Sequence, residues 1–221
     1  LISRIIDFRK LESGKLKLEP QSLNLVTFCK DLTVDYEALC QQKNIIFHFL
    51  PSRTIIRVEF DPEKMEILLS NLISNAFKYT PEGGKIVLSI DETDEKVTLV
   101  VEDNGIGIQK EFQEVIFDRF FQIENTEIFS TGDGIGLSFV KHLVELHDGT
   151  IRVESELNKG AKFIVELPKK ERVDEPVSSE EEIIIVPKSV KENMLVVTES
   201  ASSPAAPHTL LIIDDESEIL D

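Results

Sequence analysis

The chain has 221 residues and a formal net charge of −17, with 24 basic against 41 acidic side chains. This acidity argues against nucleic acid or an anionic membrane surface as the main partner of the region. Apolar residues make up 41% of the chain and charged residues 29%, both ordinary for a soluble globular protein. A chain of this length has room for one domain with a substantial core and additional segments, or for two small domains. No apolar run approaches the ~18 residues of a membrane span. The start at Leu1 resembles no signal peptide, and we expect a piece of a longer protein.

The first third of the chain predicts two helices and three strands. Apolar residues at helical spacing over 1–12 predict the end of a longer helix, and alternation over 15–18 predicts a short strand. An apolar stripe over 24–42 predicts a second helix. Strands are expected at 45–49 and 55–60.

The two cysteines of the chain, Cys29 and Cys40, both fall in the helix predicted over 24–42. They lie about 16 Å apart along its axis, whereas a disulfide needs Cα atoms within roughly 7 Å. We therefore expect reduced core residues, which fits a cytoplasmic compartment.

A third helix is predicted from Asp61 to about Lys78. Asp61 can cap its start, and the proline that follows suits the first helical position. The helix should break at 81–84. Two alternating strands, 85–91 and 96–103, come next.

The next segments complete the predicted domain. A loop-rich region at 104–133 precedes a helix over 134–147, which Asp148-Gly149 closes. Strands follow at 150–155 and 161–167. Because helices and strands are mixed without strict alternation, we predict an α+β two-layer sandwich, with a mixed sheet covered by helices on one face.

The C-terminal part changes character. Residues 171–208 are acidic and then rich in Ser, Ala and Pro, which predicts a linker, although 183–186 and 194–197 could pair locally. Residues 209–213 read as a buried parallel strand. The Asp214 and Asp215 pair after it could simply cap a following helix.

Asn71, Asn75 and Lys78 share one face of the helix predicted from Asp61. Carboxamide oxygens and an ammonium on one stripe suit Mg²⁺ and phosphate oxygens. Asparagines on an amphipathic helix can also simply hydrogen-bond across its rim, and the helix alone favours that interpretation.

Asp103 is predicted to point inward. Val97, Leu99 and Val101 alternate with polar residues, and the period of two places Asp103 on their face. A buried carboxylate needs donors, and the exocyclic amine of adenine is one. The alternative is a type I′ hairpin turn at Asn104-Gly105, but residues 106–110 do not resume an alternating strand.

Gly132, Gly134 and Gly136 precede and open the helix predicted over 134–147. Glycines let a backbone approach phosphates closely, and first-turn N–H groups favour anions. A flexible lid or simple helix capping would also explain them.

Three segments, 71–81, 103–108 and 132–137, resemble in this order the N, G1 and G2 boxes of the ATP-binding domain of sensor histidine kinases, a similarity that covers residues 19–170. The resemblance implies the Bergerat fold with ATP and Mg²⁺. It places Asn75 on the metal with Asn71 beside it, Lys78 and Tyr79 near the nucleotide, and Asp103 on the adenine. The implied ATP-binding residues are Asn71, Asn75, Lys78, Tyr79, Asp103, Gly105, Gly107, Gly132, Gly134, Gly136 and Leu137.

Residues 117–122 resemble the F box, which packs a mobile lid over the nucleotide; its implied members are Phe117, Arg119, Phe120 and Gln122. Two positions depart from the family. Gln122 stands where many members have an arginine that contacts the γ-phosphate, and it cannot supply that charge. Asp133 stands where an uncharged residue is usual. The aromatic residues could also form a small core cluster.

The flanks resemble neighbouring domains of a hybrid histidine kinase. Residues 1–18 look like the end of a dimerisation helix with its exit strand, 19–170 form the catalytic domain, 171–208 a linker, and 209–221 the start of a receiver domain with the acidic pair Asp214 and Asp215. His147-Asp148 imitates an acceptor pair, but as a helix end we expect it to act as a cap or a C-terminal cation. No acceptor histidine is expected within the chain.

The resemblance implies a kinase that transfers the γ-phosphoryl group of ATP to a histidine on its own dimerisation domain, outside this chain, for relay to a receiver aspartate. The full-length protein would be a homodimer, and this region the cytoplasmic portion of a membrane-anchored sensor, without membrane or nucleic-acid contact. One alternative is a degenerate nucleotide-binding docking module without turnover, suggested by Gln122 and Asp133. Another is an ATPase clamp of the gyrase type, against which the net charge and the two flanks argue.

Overall fold

The structure, a computed structural model, describes residues 16–122 and 134–169. These two ranges contain three α-helices, seven strands and two short 3₁₀ turns. The helices are α1 (Leu25–Gln42), α2 (Pro62–Tyr79) and α3 (Gly136–Leu146). The strands are β1 (Gln21–Asn24), β2 (Ile46–Pro51), β3 (Arg57–Phe60), β4 (Lys85–Glu92), β5 (Lys96–Asp103), β6 (Thr150–Glu156) and β7 (Gly160–Pro168). The 3₁₀ turns are Lys110–Phe112 and Val115–Phe117.

Five strands form a mixed sheet in the order β2-β4-β5-β7-β6. β2 runs parallel to β4, and the other neighbours pair antiparallel. β1 and β3 form a separate antiparallel pair, with Gln21 opposite Phe60. The predicted α+β fold with a mixed sheet is therefore confirmed.

One face of the sheet and the three helices share a hydrophobic core. Strand residues on that face are buried, including Leu88 of β4, Leu99 of β5 and Val165 of β7, and they join Leu68 and Leu72 of α2 in one cluster. The opposite face carries charged side chains, among them the Lys96–Glu166 ion pair at 2.7 Å. This division matches the period of two along each strand.

The start of α2 is fixed by a cap and by a contact from α3. Asp61 accepts a hydrogen bond from the Lys64 amide at 3.1 Å, and Pro62 is the first helical residue, as predicted. The Asp61 amide donates to Nε2 of His147 at 3.1 Å, and Nδ1 of that ring lies 2.7 Å from the Leu143 carbonyl oxygen. Because Nε2 accepts, Nδ1 carries the ring hydrogen. The cap interpretation of His147 is confirmed, and the cation interpretation is wrong.

Some element boundaries differ from the sequence predictions. Residues 16–18 form no strand, although Leu16 packs against the core. The strand in this region is β1, four residues long with mixed polarity, and only its pairing with β3 defines it. β3 begins at Arg57 and α3 at Gly136, each two residues later than expected. The helix predicted over 1–12, the linker and the strand at 209–213 lie outside the described residues.

Cys29 and Cys40 are buried and free, as predicted. Burial raises the pKa of the Cys29 thiol far above its ordinary value. Among residues 16–122 and 134–169, no helix combines the length and apolar character needed to cross a membrane.

Candidate functional site

The inward stripe of α2 presents two carboxamides. Asn71 and Asn75, one turn apart, are both half-buried. Asn71 donates from Nδ2 to the Ile67 carbonyl oxygen at 2.7 Å, so its own Oδ1 points away from that bond. The side chain of Asn75 makes no hydrogen bond within the described part of the chain. A half-buried amide with free donor and acceptor capacity suits an incoming ligand.

Asn71 brings α2 into contact with the start of α3. A Cβ added at Gly136 would lie 3.0 Å from Oδ1 of Asn71, closer than side chains normally pack. The glycine therefore allows the first turn of α3 to approach the carboxamide face of α2. Two of the three predicted motifs thus lie side by side.

The end of α2 carries a cation and an aromatic ring. Nζ of Lys78 lies 4.9 Å from the centroid of the Tyr79 ring, within range of a cation–π interaction. Both side chains are half-buried. Lys78 thus lies on the same part of the helix as Asn75, as the helical spacing predicted.

Asp103 ends β5 on the buried face of the sheet. It lies opposite Ile86 of β4 and is 8% exposed, so the inward orientation predicted from strand alternation is confirmed. Its Oδ1 accepts a hydrogen bond from the Gly105 amide at 2.8 Å. After Asp103 the chain enters a loop and the two 3₁₀ turns rather than a strand paired with β5. The alternative of a hairpin at Asn104-Gly105 is therefore wrong.

The environment of Asp103 disfavours its charged form. Burial raises the pKa of the carboxyl group above its ordinary value, and the nearby Glu102 adds to that effect. Amide donors from Gly105 and Ala161 oppose the shift. A buried carboxylate that receives few hydrogen bonds from the protein is suited to a ligand that brings a donor.

The loop after Asp103 contacts the end of α2. A Cβ on Gly105 would meet the Tyr79 carbonyl oxygen, so only a glycine allows this approach. The Ile106 amide also donates to that carbonyl at 3.4 Å. The second predicted motif is thus attached to the first, and all three motifs surround one region. Gly107, in the same loop, contacts the turn between β6 and β7 instead.

The first turn of α3 has no side-chain cap at Ile135. Within residues 16–122 and 134–169, no capping side chain at Ile135 satisfies the N–H groups of this turn, and helix starts of this kind bind anions in many proteins. Gly134 and Gly136 lie before and at its start, and Leu137 packs against the core. Gly132 and Asp133 lie outside the described residues.

The predicted lid residues have different environments. Phe117 packs edge-on against Phe163 of β7, with ring centroids 6.4 Å apart. Phe120 is 70% exposed and has a left-handed φ of 60°, and its amide donates to the Gly134 carbonyl oxygen at 2.9 Å. Arg119 and Gln122 are exposed. Phe117 is thus an anchor on the sheet, and Phe120 lies on the surface beside the start of α3.

Sequence reasoning missed Lys43. Its Nζ donates to the carbonyl oxygens of Phe77 and Thr80 at 3.1 and 3.0 Å and lies 4.9 Å from the centroid of the Phe77 ring. These carbonyls end α2, where a cation is electrostatically favourable. The partners are more than 30 residues away, so no local pattern could have revealed the contact.

No group of three or more His, Cys, Asp or Glu side chains in the described ranges could hold a metal ion by itself. Mg²⁺ needs no such cage when it is bound with phosphates, because it takes one or two protein ligands and completes its shell with water and phosphate oxygens. The free carboxamide of Asn75 fits that requirement.

Comparison with known proteins agrees with this geometry. Residues 60–171 match the family of histidine kinase-, DNA gyrase B- and HSP90-like ATPases. Histidine kinase P4 of Formosa agariphila is 39% identical over 172 residues, which are 76% of this chain and 13% of that protein. Hybrid signal transduction histidine kinase D of Dictyostelium discoideum is 33% identical over 181 residues, 79% of this chain and 12% of that protein. The chain thus spans about an eighth of the length of these relatives.

Solved structures agree as well. The catalytic domain of the histidine kinase ThkA has a TM-score of 0.62 and 33% identity, covering 69% of this chain and 99% of that one. ThkA in complex with the response regulator protein TrrA has a TM-score of 0.62 and 29% identity, covering 76% of this chain and 48% of that one. This chain belongs to the histidine kinase-, DNA gyrase B- and HSP90-like ATPase family, and its described fold is that of histidine kinase catalytic domains.

Proposed function

We propose that this chain binds Mg-ATP between α2, the loop after Asp103 and the start of α3, and that the whole protein transfers the γ-phosphoryl group to a histidine on a dimerisation domain outside this chain. The observation that carries the proposal is the meeting of three motifs. Gly136 lies against Asn71, and Gly105 lies against the carbonyl of Tyr79.

Asp103 is proposed to recognise the base. Adenine presents an exocyclic amine that donates a hydrogen bond, whereas guanine presents a carbonyl oxygen at the equivalent position. A buried carboxylate at the end of β5 accepts from the former and repels the latter. Gly105 and Gly107 give the loop that carries Asp103 its close packing on α2 and on the turn between β6 and β7.

The phosphates are proposed to lie along the uncapped first turn of α3. Gly132, Gly134 and Gly136 would allow close approach of backbone N–H groups, with Leu137 anchoring the helix to the core. Lys78 supplies positive charge, and Tyr79 packs beside it. Asn75, with Asn71 next to it on the helix, would hold Mg²⁺ through a carboxamide oxygen. When bound, Mg²⁺ neutralises phosphate charge.

Residues 117–122 are proposed to form the base of a lid, with Phe117 as its anchor on β7 and Arg119, Phe120 and Gln122 towards the nucleotide. Gln122 offers no positive charge to a γ-phosphate. This favours a second candidate function, a nucleotide-binding docking module without turnover.

The proposed partners are the protein's own dimerisation domain, in a homodimer, and a receiver domain. Residues 1–18 would end the dimerisation helix, 19–170 form the catalytic domain, 171–208 link it onward, and 209–221 begin a receiver with Asp214 and Asp215 as its acidic pair. One hybrid kinase among the relatives and the ThkA complex with a response regulator support this arrangement.

Phosphorylation in trans tests the proposal. The chain is mixed with a histidine-bearing dimerisation domain and γ-³²P-labelled ATP, and acid-labile phosphohistidine is measured. We expect label on the added domain and none on the chain alone, with Asn75→Ala as the control that lowers it. ATP binding without transfer would support the docking module, and a chain that does not bind ATP would contradict both functions.

A further inference from the structure

The loop that carries Asp103 is held by the turn between β6 and β7. Gly160, with φ +95°, approaches the Asp103 backbone so closely that a Cβ would meet the Asp103 carbonyl oxygen. A Cβ on Gly107, which has φ +66°, would likewise meet the Glu156 carbonyl oxygen. The Asn158 amide donates to the carbonyl of Ile106 at 2.7 Å. The loop thus depends on a hairpin about 50 residues further along the chain.

A single hydroxyl connects the two segments. Oγ of Ser155 accepts a hydrogen bond from the Ile108 amide at 2.8 Å and donates to the Gly160 carbonyl oxygen at 2.6 Å. Ser155 is half-buried on the inward side of β6. It therefore fixes the end of the loop to the start of β7.

Gln113 completes the connection from the other side. Its Nε2 donates to the Ile108 carbonyl oxygen at 3.1 Å and to the Ser155 carbonyl oxygen at 2.7 Å. Both backbone groups of Ile108 are thus bound by side chains rather than by a regular element. Ile108 itself packs against the core. The side chains of Ser155 and Gln113 therefore fix the segment between β5 and the first 3₁₀ turn.

We propose that Ser155 and Gln113 are positioning residues for adenine recognition, which rests on the proposed function. Neither would touch the nucleotide. They would hold residues 103–108 in the conformation that presents the Asp103 carboxylate and the two loop glycines. A loop that leaves this conformation must be reordered on binding. The apparent affinity is then the intrinsic affinity multiplied by the fraction of molecules in the binding-competent conformation.

The test compares Ser155→Ala with Ser155→Thr, which keeps the hydroxyl, and with Ser89→Ala, a half-buried strand serine of the same sheet on its opposite face. ATP and GTP dissociation constants are measured by calorimetry alongside thermal unfolding. We expect Ser155→Ala to raise the Kd for ATP about threefold to tenfold, the range that loss of one or two hydrogen bonds gives. Ser155→Thr should retain the wild-type affinity for ATP, and Ser89→Ala should leave that affinity unchanged.

Gln113→Glu provides a second route if Ser155→Ala folds poorly. It keeps the size of the side chain but replaces the donor with a carboxylate that repels the two carbonyls. A rise in the Kd for ATP together with a smaller ratio of ATP to GTP affinity supports the positioning role. Wild-type affinity in both Ser155→Ala and Gln113→Glu, or an equal loss in Ser89→Ala, overturns it. Failure of the wild-type chain to bind ATP would instead refute the proposed function.

Discussion

Oδ1 of Asn71 on α2 lies 3.0 Å from the position that a Cβ on Gly136 of α3 would occupy. The two residues are 65 positions apart in the chain, and the absence of a side chain on Gly136 sets how closely the helices approach at the site. This contact joins the carboxamide face of α2 to the uncapped helix start that we assign to the phosphates.

Gly136→Ala should therefore affect ligand binding more than folding. Alanine in a helix gains roughly 0.5–1 kcal/mol over glycine, and this offsets the crowding against Asn71. We expect the free energy of unfolding to change by less than about 1 kcal/mol, while ATP affinity falls. Urea unfolding and calorimetric titration of the same preparation measure both. Unchanged affinity would mean that the first turn of α3 does not contact the ligand.

Asp103→Asn should weaken the preference for adenine over guanine. The amide removes the charge but keeps an oxygen that can accept from the Gly105 amide. We expect the ratio of ATP to GTP affinity to fall about tenfold, since a polar group matched to its partner is lost. Competition between the two nucleotides measures the ratio. An unchanged ratio would make Asp103 a turn residue only.

The same substitution should stabilise the unliganded chain at neutral pH. Burial raises the folded-state pKa of Asp103 above its ordinary value near 3.8, so the native state holds its proton more tightly than the unfolded state. The Asp103 contribution to stability therefore falls as pH rises from the ordinary value through the folded value, and stays lower above it. Denaturation of wild type and Asp103→Asn across this range should show their difference growing with pH. A difference independent of pH would contradict the assignment.

Lys43→Met should destabilise the chain. Its Nζ donates to the carbonyl oxygens of Phe77 and Thr80 at the end of α2, and methionine removes that donor. Hydrogen bonds to a charged group contribute about 1.5–3 kcal/mol when buried, and Lys43 is half-buried, so we expect a loss of about 1–2 kcal/mol. Lys43→Arg keeps the charge and is the control. Urea midpoints equal to wild type in Lys43→Met would show that the contact adds little.

His147→Phe should lower stability without changing nucleotide selectivity. The phenyl ring fills the space of the imidazole, but it leaves the Asp61 amide without its acceptor. An unsatisfied buried donor costs about 1–3 kcal/mol. Thermal unfolding measures the loss, and the ATP-to-GTP affinity ratio is the control. A changed ratio would connect this contact to the site, contrary to our expectation.

Local patterns predicted much of the fold and the orientation of key side chains. Alternation of Val97, Leu99 and Val101 correctly placed Asp103 inward, and Asp61 with Pro62 correctly marked the start of α2. These signals are local, because each depends on residues within one strand or one helical turn.

Contacts between distant segments could not be predicted in this way. β1 exists because it pairs with β3, and Ser155 matters because it bonds Ile108, 47 positions away. The alternation at 15–18 predicted a strand that residues 16–18 do not form, since pairing partners and not period alone make a strand. The helix face of Asn71 and Asn75 was visible from spacing, whereas its contact with Gly136 was not.

The most direct test of the site is Mg-ATP binding by wild type and Asn75→Ala, measured by calorimetry with and without Mg²⁺. Alanine is a better helix former than asparagine by about 0.5 kcal/mol, so the variant should unfold no more easily than wild type. We predict saturable Mg-dependent ATP binding by wild type and a loss of at least about tenfold in Asn75→Ala, since removing even a residue that only orients a metal ligand costs about tenfold or more. Equal affinities in the two proteins, or binding that does not depend on Mg²⁺, would contradict the assignment of the metal to this carboxamide.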